Sequence, residues 1–417
     1  MYLDKQQIRF TTYKQELSMS LPKMQDLDVS GKKVLLRVDF NVPLNDHAEI
    51  TDDMRIKESL PTIEHLLRQG SSVIILSHLG RPKNGPDEKL SLKPCAKRLS
   101  ELLHKTVLFA KDATSQKTKE LCQKLQPGEL LLIENLRFYP AEEDPSKDPS
   151  FAKTLSSLGD LYVNDAFGTA HRTHSSTALI ASFFPKKKGT GLLMQKEIQA
   201  LNTLLENPLH PFFAIVGGSK ISSKLGVLES LIQKVDGLFI GGGMAYTFLH
   251  VLGYAIGDSI FEKTLQTAAL QFLNACTAAG VKIYLPEDLV IADAFSKDAN
   301  KKIVSIKEGV PKGWQGMDIG PSTLDTWKKA LLPAATIFWN GPLGVFELEP
   351  FSKGTNHLST YLSSLKATTI VGGGDSVLAI NQLGIASKFT HVSTGGGASL
   401  EYIENGSLPG IDALKYV

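Results

Sequence analysis

The stretch Ala214-Ile215-Val216-Gly217-Gly218-Ser219-Lys220-Ile221-Ser222-Ser223-Lys224 combines an apolar run, two glycines and two lysines. The apolar run predicts a buried strand, and the residues after it predict a turn into a helix. Glycines at such a turn let backbone amides approach a ligand closely, while the helix N-terminus and a lysine add positive charge. The stretch therefore predicts either a phosphate-binding turn or an ordinary strand-to-helix turn with solvated lysines.

The same alternation of apolar runs and helical spacing extends along the chain in both directions from this stretch. Apolar runs that end in glycines or polar residues occupy the segments 34–43, 73–82, 130–138, 161–174, 238–244, 281–288, 336–347, 369–376 and 389–399. Strands that alternate with helices predict a parallel sheet, and ligands bind at the carboxyl edge of such sheets. The predicted fold class is therefore α/β, with two doubly wound parallel-sheet (Rossmann-like) domains joined by a helix and hinge.

Length and composition limit the class of protein. At 417 residues the chain is long for one hydrophobic core, which favours two domains, and the helical spacing of 191–206 predicts the helix between them. A net charge of +2 argues against a nucleic-acid-binding surface, and no apolar run is long enough to span a membrane. Cys95, Cys122 and Cys276 are widely spaced, which fits a reducing cytoplasm and neither a disulfide framework nor a zinc site.

The strand ends of the two halves differ in chemistry. Every arginine lies before residue 173, at Arg9, Arg37, Arg55, Arg68, Arg81, Arg98, Arg137 and Arg172. The rigid fork of arginine suits bidentate recognition of carboxylates and phosphates. The strand ends of the second half carry glycines instead. The sequence thus predicts an anion-binding site in the first half and a backbone-lined pocket in the second.

The glycine-rich strand ends do not match the two common nucleotide-binding motifs. The segments 241–246 and 372–377 lack the third glycine of G-x-G-x-x-G, and the single Gly-Lys pair, Gly31-Lys32, does not complete a P-loop. Taken singly, each glycine-rich end is better explained by a tight turn, whereas their repetition at successive strand ends favours a binding site. Asp375 follows one of them and could face a magnesium ion held mainly by phosphate oxygens. No spacing typical of a transition-metal site or of a serine nucleophile occurs.

The run Val34-Leu35-Leu36-Arg37-Val38-Asp39-Phe40-Asn41-Val42-Pro43 closely resembles the signature of the phosphoglycerate kinase family. Further similar motifs follow in the family's order at 77–82, 134–138, 165–176, 217–224, 241–248, 339–347, 372–376 and 393–400. The resemblance runs from about Leu21 to the C-terminus. It implies a cytoplasmic, monomeric glycolytic kinase that exchanges a phosphoryl group between 1,3-bisphosphoglycerate and ADP, with Mg²⁺, giving 3-phosphoglycerate and ATP.

The resemblance also implies the site residues. Those for phosphoglycerate are Asp39, Asn41, Arg55, His78, Arg81, Arg137 and Arg172. Those for ATP or ADP are Lys220, Lys224, Glu347, Gly373, Gly374, Asp375 and Ser376, with Asp375 facing the metal. Arg55 and Lys220 are the predicted catalytic residues, and Ser222 and Ser223 receive no catalytic role.

The domains that the resemblance implies are a phosphoglycerate-binding domain over 19–190, with 399–417 packing back on it, and a nucleotide-binding domain over 207–398. The helix 191–206 lies between them, and the leader 1–18 has no counterpart and receives no function.

The chemistry of the implied reaction agrees with these residue types. The acceptor is a carboxylate, which is ionised at neutral pH and needs no general base. The reaction needs instead neutralisation of phosphoryl charge, alignment of two anions and exclusion of water. Two alternatives stay open: a kinase for a different acidic metabolite, and a two-lobed binding protein without catalysis.

Overall fold

The computed structural model describes residues 21–83 and 85–416. The predicted leader 1–18 lies outside the described residues. The described chain divides into two units: the first extends to Glu197 and includes the chain again from Ser407, and the second runs from Ile198 to Gly406. The assignment of one ligand to each unit stays a prediction.

The first unit contains one sheet of six parallel strands. In chain order they are β1 (Lys33–Arg37), β2 (Ser72–Leu76), β3 (Val107–Ala110), β4 (Leu130–Ile133), β5 (Leu161–Asn164) and β6 (Lys188–Thr190). Their order across the sheet is β3-β4-β2-β1-β5-β6. The α-helices of this unit are Met54–Arg68, Lys93–Leu103, Gln116–Lys124, Pro140–Glu143, Phe151–Ser156 and Pro409–Asp412, and helix Leu192–Leu205 begins here.

The second unit repeats this architecture and adds a small antiparallel sheet. Its strands are β7 (Phe212–Val216), β8 (Gly237–Ile240), β9 (Lys282–Tyr284), β10 (Asp288–Ala292), β11 (Lys301–Ser305), β12 (Gln315–Ile319), β13 (Thr336–Asn340), β14 (Thr368–Gly372) and β15 (His391–Val392). The parallel sheet has the order β15-β14-β13-β7-β8-β9. Its helices are Leu225–Leu231, Met244–Val251, Gln266–Ala278, Pro321–Leu331, Lys353–Leu362, Gly374–Gln382 and Gly397–Asn405.

The predicted fold class is confirmed by these two parallel sheets with helices. Every residue of β2, β4, β7 and β13 is buried, because helices cover both faces of a parallel sheet. Strands in that setting read as continuous apolar runs. In the first unit, apolar cores lie on both sides of the sheet, one around Leu36 and Ile75 and the other around Leu35 and Ile74.

The antiparallel sheet was missed by the sequence analysis. Its order is β11-β10-β12, and the pairing of β10 with β12 shifts register between Val290 and Ile291. The sequence interpretation placed Pro286-Glu287-Asp288 as the end of a parallel strand, but Asp288 instead begins β10. Strand β11 exposes its first three residues to solvent, so it lacks the apolar run by which the parallel strands were recognised.

Two segments differ in detail from the sequence interpretation. After β7, the predicted helix begins only at Leu225, behind a 3₁₀ turn over Ile221–Ser223, and it is seven residues long. Near the C-terminus, helix Gly397–Asn405 packs on helix Leu225–Leu231 in the second unit. The chain contacts the first unit after that helix: the Gly410 amide donates to the Ala170 carbonyl at 2.7 Å, and Lys188 Nζ donates to the Ala413 carbonyl at 2.8 Å.

Cys95, Cys122 and Cys276 are buried and unpaired. Among the described helices, none has both the length and the apolar character that crossing a bilayer requires.

Candidate functional site

Three predicted anion-binding residues meet where β1 and β2 end in the first unit. Asp39 follows β1, and its Oδ2 accepts a hydrogen bond from Arg55 at 2.7 Å. The other carboxylate oxygen lies 3.8 Å from His78 Nδ1 and accepts from the Asn41 amide at 3.2 Å. Burial opposes the charge of Asp39, but the charges of Arg55 and Arg37 and the hydrogen bond from the Asn41 amide hold its pKa below the ordinary value. Asp39 therefore fixes Arg55 at the carboxyl edge of the sheet.

His78 is a neutral residue in this cluster. Burial lowers the pKa of His78 well below its ordinary value, and the nearby arginines lower it further against the opposing effect of Asp39. Arg37 lies 3.3 Å from His78 Nδ1, and a guanidinium can only donate. Nδ1 is therefore the acceptor, and Nε2 carries the proton.

Arg37 contacts His78 of this cluster and is itself wholly buried. Its Nε donates to Ser176 Oγ at 2.7 Å, and its guanidinium also donates to the Val38 carbonyl. Glu142 lies 4.0 Å away and accepts from both the amide and the hydroxyl of Ser176. Arg37 was not among the site residues predicted from the sequence. Its signal was visible as an arginine inside an otherwise apolar strand.

Asn41 and Arg137 hold the turn after β2. The Gly80 amide donates to Asn41 Oδ1 at 2.8 Å, and Arg137 donates to the Gly80 carbonyl at 2.8 Å. Arg137 Nε also lies 3.0 Å from Glu143 in an ion pair whose geometry does not make a hydrogen bond. The structure thus brings five of the predicted residues, Asp39, Asn41, Arg55, His78 and Arg137, into one set of contacts.

Arg81 and Arg172 lie at the surface of the same unit. Both are exposed, and the side chain of Arg81 has no hydrogen bond or ion pair within residues 21–83 and 85–416. Arg172 nevertheless adds to the positive field of Arg37 and Arg137. Burial, followed by the charges of Arg137, Arg37 and Arg172, lowers the pKa of His174 to about 3. Such a positive field at the strand ends suits an anionic ligand.

In the second unit, several glycines serve the packing of the strand ends. The Gly217 amide donates to the Asn340 carbonyl, and the Gly218 amide donates to the Pro342 carbonyl. A β-carbon on Gly217 would lie 2.1 Å from the Pro342 carbonyl oxygen, and one on Gly341 would lie 2.2 Å from the Gly217 carbonyl oxygen. These glycines are therefore required because two backbone segments pack closely together here. This explains the glycine of the stretch 214–224 at position 217 by packing, as in an ordinary strand-to-helix turn.

The glycine turn after β14 is different, because Gly374 opens onto free space, whereas a β-carbon on Gly373 would lie 3.0 Å from Asn340 Nδ2. Gly373 adopts φ +90°, and helix Gly374–Gln382 begins behind it. A β-carbon on Gly374 would have no atom within 4 Å. Asp375 is exposed, while the buried Ser376 hydroxyl accepts from the Gly341 amide at 2.6 Å. An open helix N-terminus with a glycine turn is suited to bind phosphate.

Lys224, at the end of the stretch 214–224, contacts Asn340, the residue that lies against Gly373. Its ammonium donates to Asn340 Oδ1, and burial lowers the pKa of Lys224 to about 8 against the opposing charge of Asp375. The wholly buried Asn340 has a second polar atom, Nδ2, without a hydrogen-bond partner in the described chain. Asn340 was not among the site residues predicted from the sequence. It is the one polar residue at the end of the apolar run of β13.

Lys220 and Glu347 are exposed. Lys220 precedes the 3₁₀ turn, whose Ser222 donates to Glu262 from its amide at 3.1 Å and its hydroxyl at 2.6 Å. Burial raises the pKa of Glu262, but these hydrogen bonds and the charge of Lys220 lower it more. Glu347 follows β13 by several residues, and in the described part of the chain it makes no hydrogen bond or ion pair with Lys224 or Asp375.

The described residues contain no group of three or more His, Cys, Asp or Glu side chains that could hold a metal ion. A protein-built metal cage therefore does not fit the described chain. The single exposed carboxylate of Asp375, beside the open glycine turn, fits a magnesium ion that is held mainly by phosphate oxygens.

Comparison with known proteins places these features in a family. The model of the family described as "Phosphoglycerate kinase" matches residues 24–406. A phosphoglycerate kinase of Roseiflexus sp. (strain RS-1) is 50% identical over 399 residues, covering 95% of this chain and 100% of that protein. A cytosolic phosphoglycerate kinase of Nicotiana tabacum is 50% identical over 398 residues, covering 95% of this chain and 98% of that protein.

Solved structures that are similar to this chain come from the same family. The structure of phosphoglycerate kinase from Coxiella burnetii has a TM-score of 0.84 and 40% identity, and covers 95% of this chain and 99% of that one. The crystal structure of phosphoglycerate kinase from Pyrococcus horikoshii OT3 has a TM-score of 0.80 and 31% identity, with the same coverage.

Proposed function

The chain belongs to the phosphoglycerate kinase family and is a kinase with a carboxyl group as acceptor, and from this premise we propose its reaction. It transfers a phosphoryl group reversibly from 1,3-bisphosphoglycerate to ADP, giving 3-phosphoglycerate and ATP in glycolysis. The observation that carries this proposal is the cluster of Asp39, Arg55 and His78, which presents arginine charge at the carboxyl edge of a parallel sheet.

The first unit binds the phosphoglycerate. Arg81 and Arg172 are exposed and present charge to the phosphate, while Arg55 is held by Asp39. His78 donates through Nε2, because Arg37 occupies Nδ1. Asn41 and Arg137 keep the turn at Gly80 in place.

The second unit binds the nucleotide. The turn of Gly373 and Gly374 and the backbone amide of Ser376, in the first turn of helix Gly374–Gln382, receive phosphate oxygens, and Lys224 adds charge beside them. Glu347, on the loop after β13, binds the nucleotide. Asp375 would hold Mg²⁺ together with the nucleotide phosphates, and the ion when bound would neutralise part of their charge.

The transfer is in-line and uses no general base. The acceptor carboxylate of 3-phosphoglycerate is already ionised at neutral pH, so no proton has to be removed from it. Arg55 and Lys220 neutralise the charge of the phosphoryl group between donor and acceptor. Closure of the two units upon ligand binding brings the ligands together and excludes water that would hydrolyse the acyl phosphate. The enzyme acts as a cytoplasmic monomer.

Release of ADP from ATP with 3-phosphoglycerate tests this function. We expect ATP-dependent turnover with 3-phosphoglycerate that falls when magnesium is chelated and returns when it is restored. A panel of other small carboxylates serves as the comparison. Faster turnover with another acid would favour a different metabolite kinase. Tight anion binding without ATP turnover would favour a binding protein, and either result would overturn the proposal.

A further inference from the structure

We infer that Asp318 is a positioning residue that holds the loop 341–347 of the nucleotide site in its binding conformation. This inference rests on the proposed function, because it assigns the loop to the nucleotide. Asp318 lies in β12, within the antiparallel sheet that the sequence did not reveal, and it is only 1% exposed.

The Asp318 carboxylate is anchored by backbone amides on both oxygens. Oδ1 accepts from the Ile319 amide at 2.9 Å, and Oδ2 accepts from the Gly354 amide at 2.7 Å. Gly354 belongs to the first turn of helix Lys353–Leu362. Two backbone amides, one of them in a helix N-terminal turn, are the partners that a buried carboxylate needs. Asp318 therefore fixes the start of this helix against β12.

The same carboxylate lies directly against the loop. A β-carbon on Gly344 would lie 2.3 Å from Asp318 Oδ1, and a β-carbon on Gly354 would lie at the same distance from that oxygen. The neighbouring Val345 amide donates to the Met317 carbonyl at 2.8 Å. The loop thus rests on two consecutive residues of β12, and glycine at 344 permits the close approach.

The helix provides a second connection to the loop. Thr355, the residue after Gly354, accepts from the Leu343 amide at 3.0 Å through its hydroxyl. The beginning of the loop is tied in turn to the glycine turn of the nucleotide site, because the Gly341 amide donates to Ser376 Oγ at 2.6 Å. A change at Asp318 is therefore transmitted to the loop along two routes, directly at Gly344 and through Thr355.

Asp288 provides a matched control within the same small sheet. It lies in β10, is 6% exposed, and accepts from the amides of Thr323 at 2.7 Å and Ser322 at 3.0 Å. A β-carbon on Gly320 would lie 2.2 Å from it. Asp288 thus anchors a helix start behind a glycine as Asp318 does, but its hydrogen bonds within the described chain go to helix Pro321–Leu331 and not to the loop.

Steady-state kinetics of Asp318→Asn and Asp288→Asn, with ATP and 3-phosphoglycerate varied separately, test the inference. Asparagine keeps the shape but places an N–H group against a backbone donor. We expect Asp318→Asn to raise the KM for ATP about fivefold or more, the effect of losing one buried hydrogen bond, while the KM for 3-phosphoglycerate stays within about twofold. Asp288→Asn should leave both KM values near those of the parent.

Gly344→Ala is the second variant, because it introduces a methyl group against the same carboxylate from the loop side. It should raise the KM for ATP in the same selective way, even if Asp318→Asn does not fold. Unchanged nucleotide KM in the folded variants, or equal changes for both substrates or for both aspartates, would overturn the inference. Calorimetric titration of each variant with Mg·ADP measures nucleotide binding without turnover. A failure of the proposed reaction is thereby distinguished from a failure of the positioning role.

Discussion

Arg55 is the residue at which the proposed chemistry is most directly tested. Its guanidinium is held by Asp39 at 2.7 Å, yet its side chain is still 36% exposed, so it can face a ligand while its position is fixed. Arg55→Ala is expected to lower kcat by about 10³-fold, the scale of charge-stabilising arginines in phosphoryl transfer, with smaller effects on KM. Lys220→Ala should lower kcat by a similar factor, again with smaller effects on KM. The measurement is coupled steady-state turnover.

Arg68→Ala is the matched control for Arg55→Ala. Arg68 lies in the same helix, Met54–Arg68, and its exposed side chain pairs with Glu64 at 3.3 Å. Exposed ion pairs within a helix contribute little to stability, so this variant should keep parent turnover. Parent-like turnover in Arg55→Ala would contradict the catalytic role of Arg55.

At the residue scale, the side chains at the strand ends could be predicted from the sequence, but the residues that hold them in place could not. Asp39, His78 and Asp375 follow apolar runs and could be located from that pattern. The partners of Arg37 could not, because Ser176 lies 139 positions further along the chain. The role of Asn340 depends in the same way on Lys224 coming from another strand end. Pairings of this kind are set by tertiary packing and leave no local pattern.

At the scale of elements, Asp165 controls the start of helix Leu192–Leu205. It follows β5, is fully buried, and its Oδ1 accepts from the Met194 amide at 3.0 Å, while Oδ2 has no hydrogen-bond partner in the described chain. A β-carbon on Gly191 would lie 2.2 Å from the carboxylate. Burial raises the pKa of Asp165 to about 7, against hydrogen bonds that lower it.

Asp165 should therefore make stability depend on pH. A carboxyl group whose folded pKa lies above its unfolded value of 3.8 stabilises fully at low pH, and this contribution is lost as pH rises from about 4 through 7. Asp165→Asn cannot ionise. The free energy of unfolding of the parent minus that of this variant should thus fall by a few kcal/mol between pH 5 and pH 8, at about 1.4 kcal/mol per pKa unit.

Urea unfolding at the two pH values measures this difference. Other buried carboxyl groups, such as Asp318, titrate equally in both proteins and cancel. Asp46→Asn, at an exposed loop position, should follow the parent at both pH values. If parent and Asp165→Asn showed the same change with pH, Asp165 would not be the titrating group.

The strands could be predicted from the sequence where their burial produces a continuous apolar run. Strands β2 and β7 are buried along their whole length, so each reads as an apolar run. Strand β12 includes Gly316 and Asp318, and β11 begins with two exposed lysines, so neither resembles such a run. The loop 341–347 rests on this unrecognised sheet, which is why the proposed role of Asp318 could not be predicted from the sequence.

At the scale of the whole molecule, the proposed reaction requires two anionic ligands to meet. In the proposed function one ligand binds at the arginine cluster of the first unit and the other at the glycine turn of the second, and each of these candidate sites lies at the carboxyl edge of its own sheet. We therefore expect transfer that excludes water to involve a change of conformation that depends on both ligands.

Small-angle X-ray scattering tests this dependence. 3-Phosphoglycerate and Mg·ADP form a pair that cannot react, so both sites can be filled without turnover. The radius of gyration is expected to decrease with both ligands present by more than the sum of the decreases with each ligand alone, because closure needs contacts from both. The single-ligand samples serve as controls. A radius of gyration that both ligands leave unchanged would exclude closure and would require transfer in a conformation that already exists without ligands.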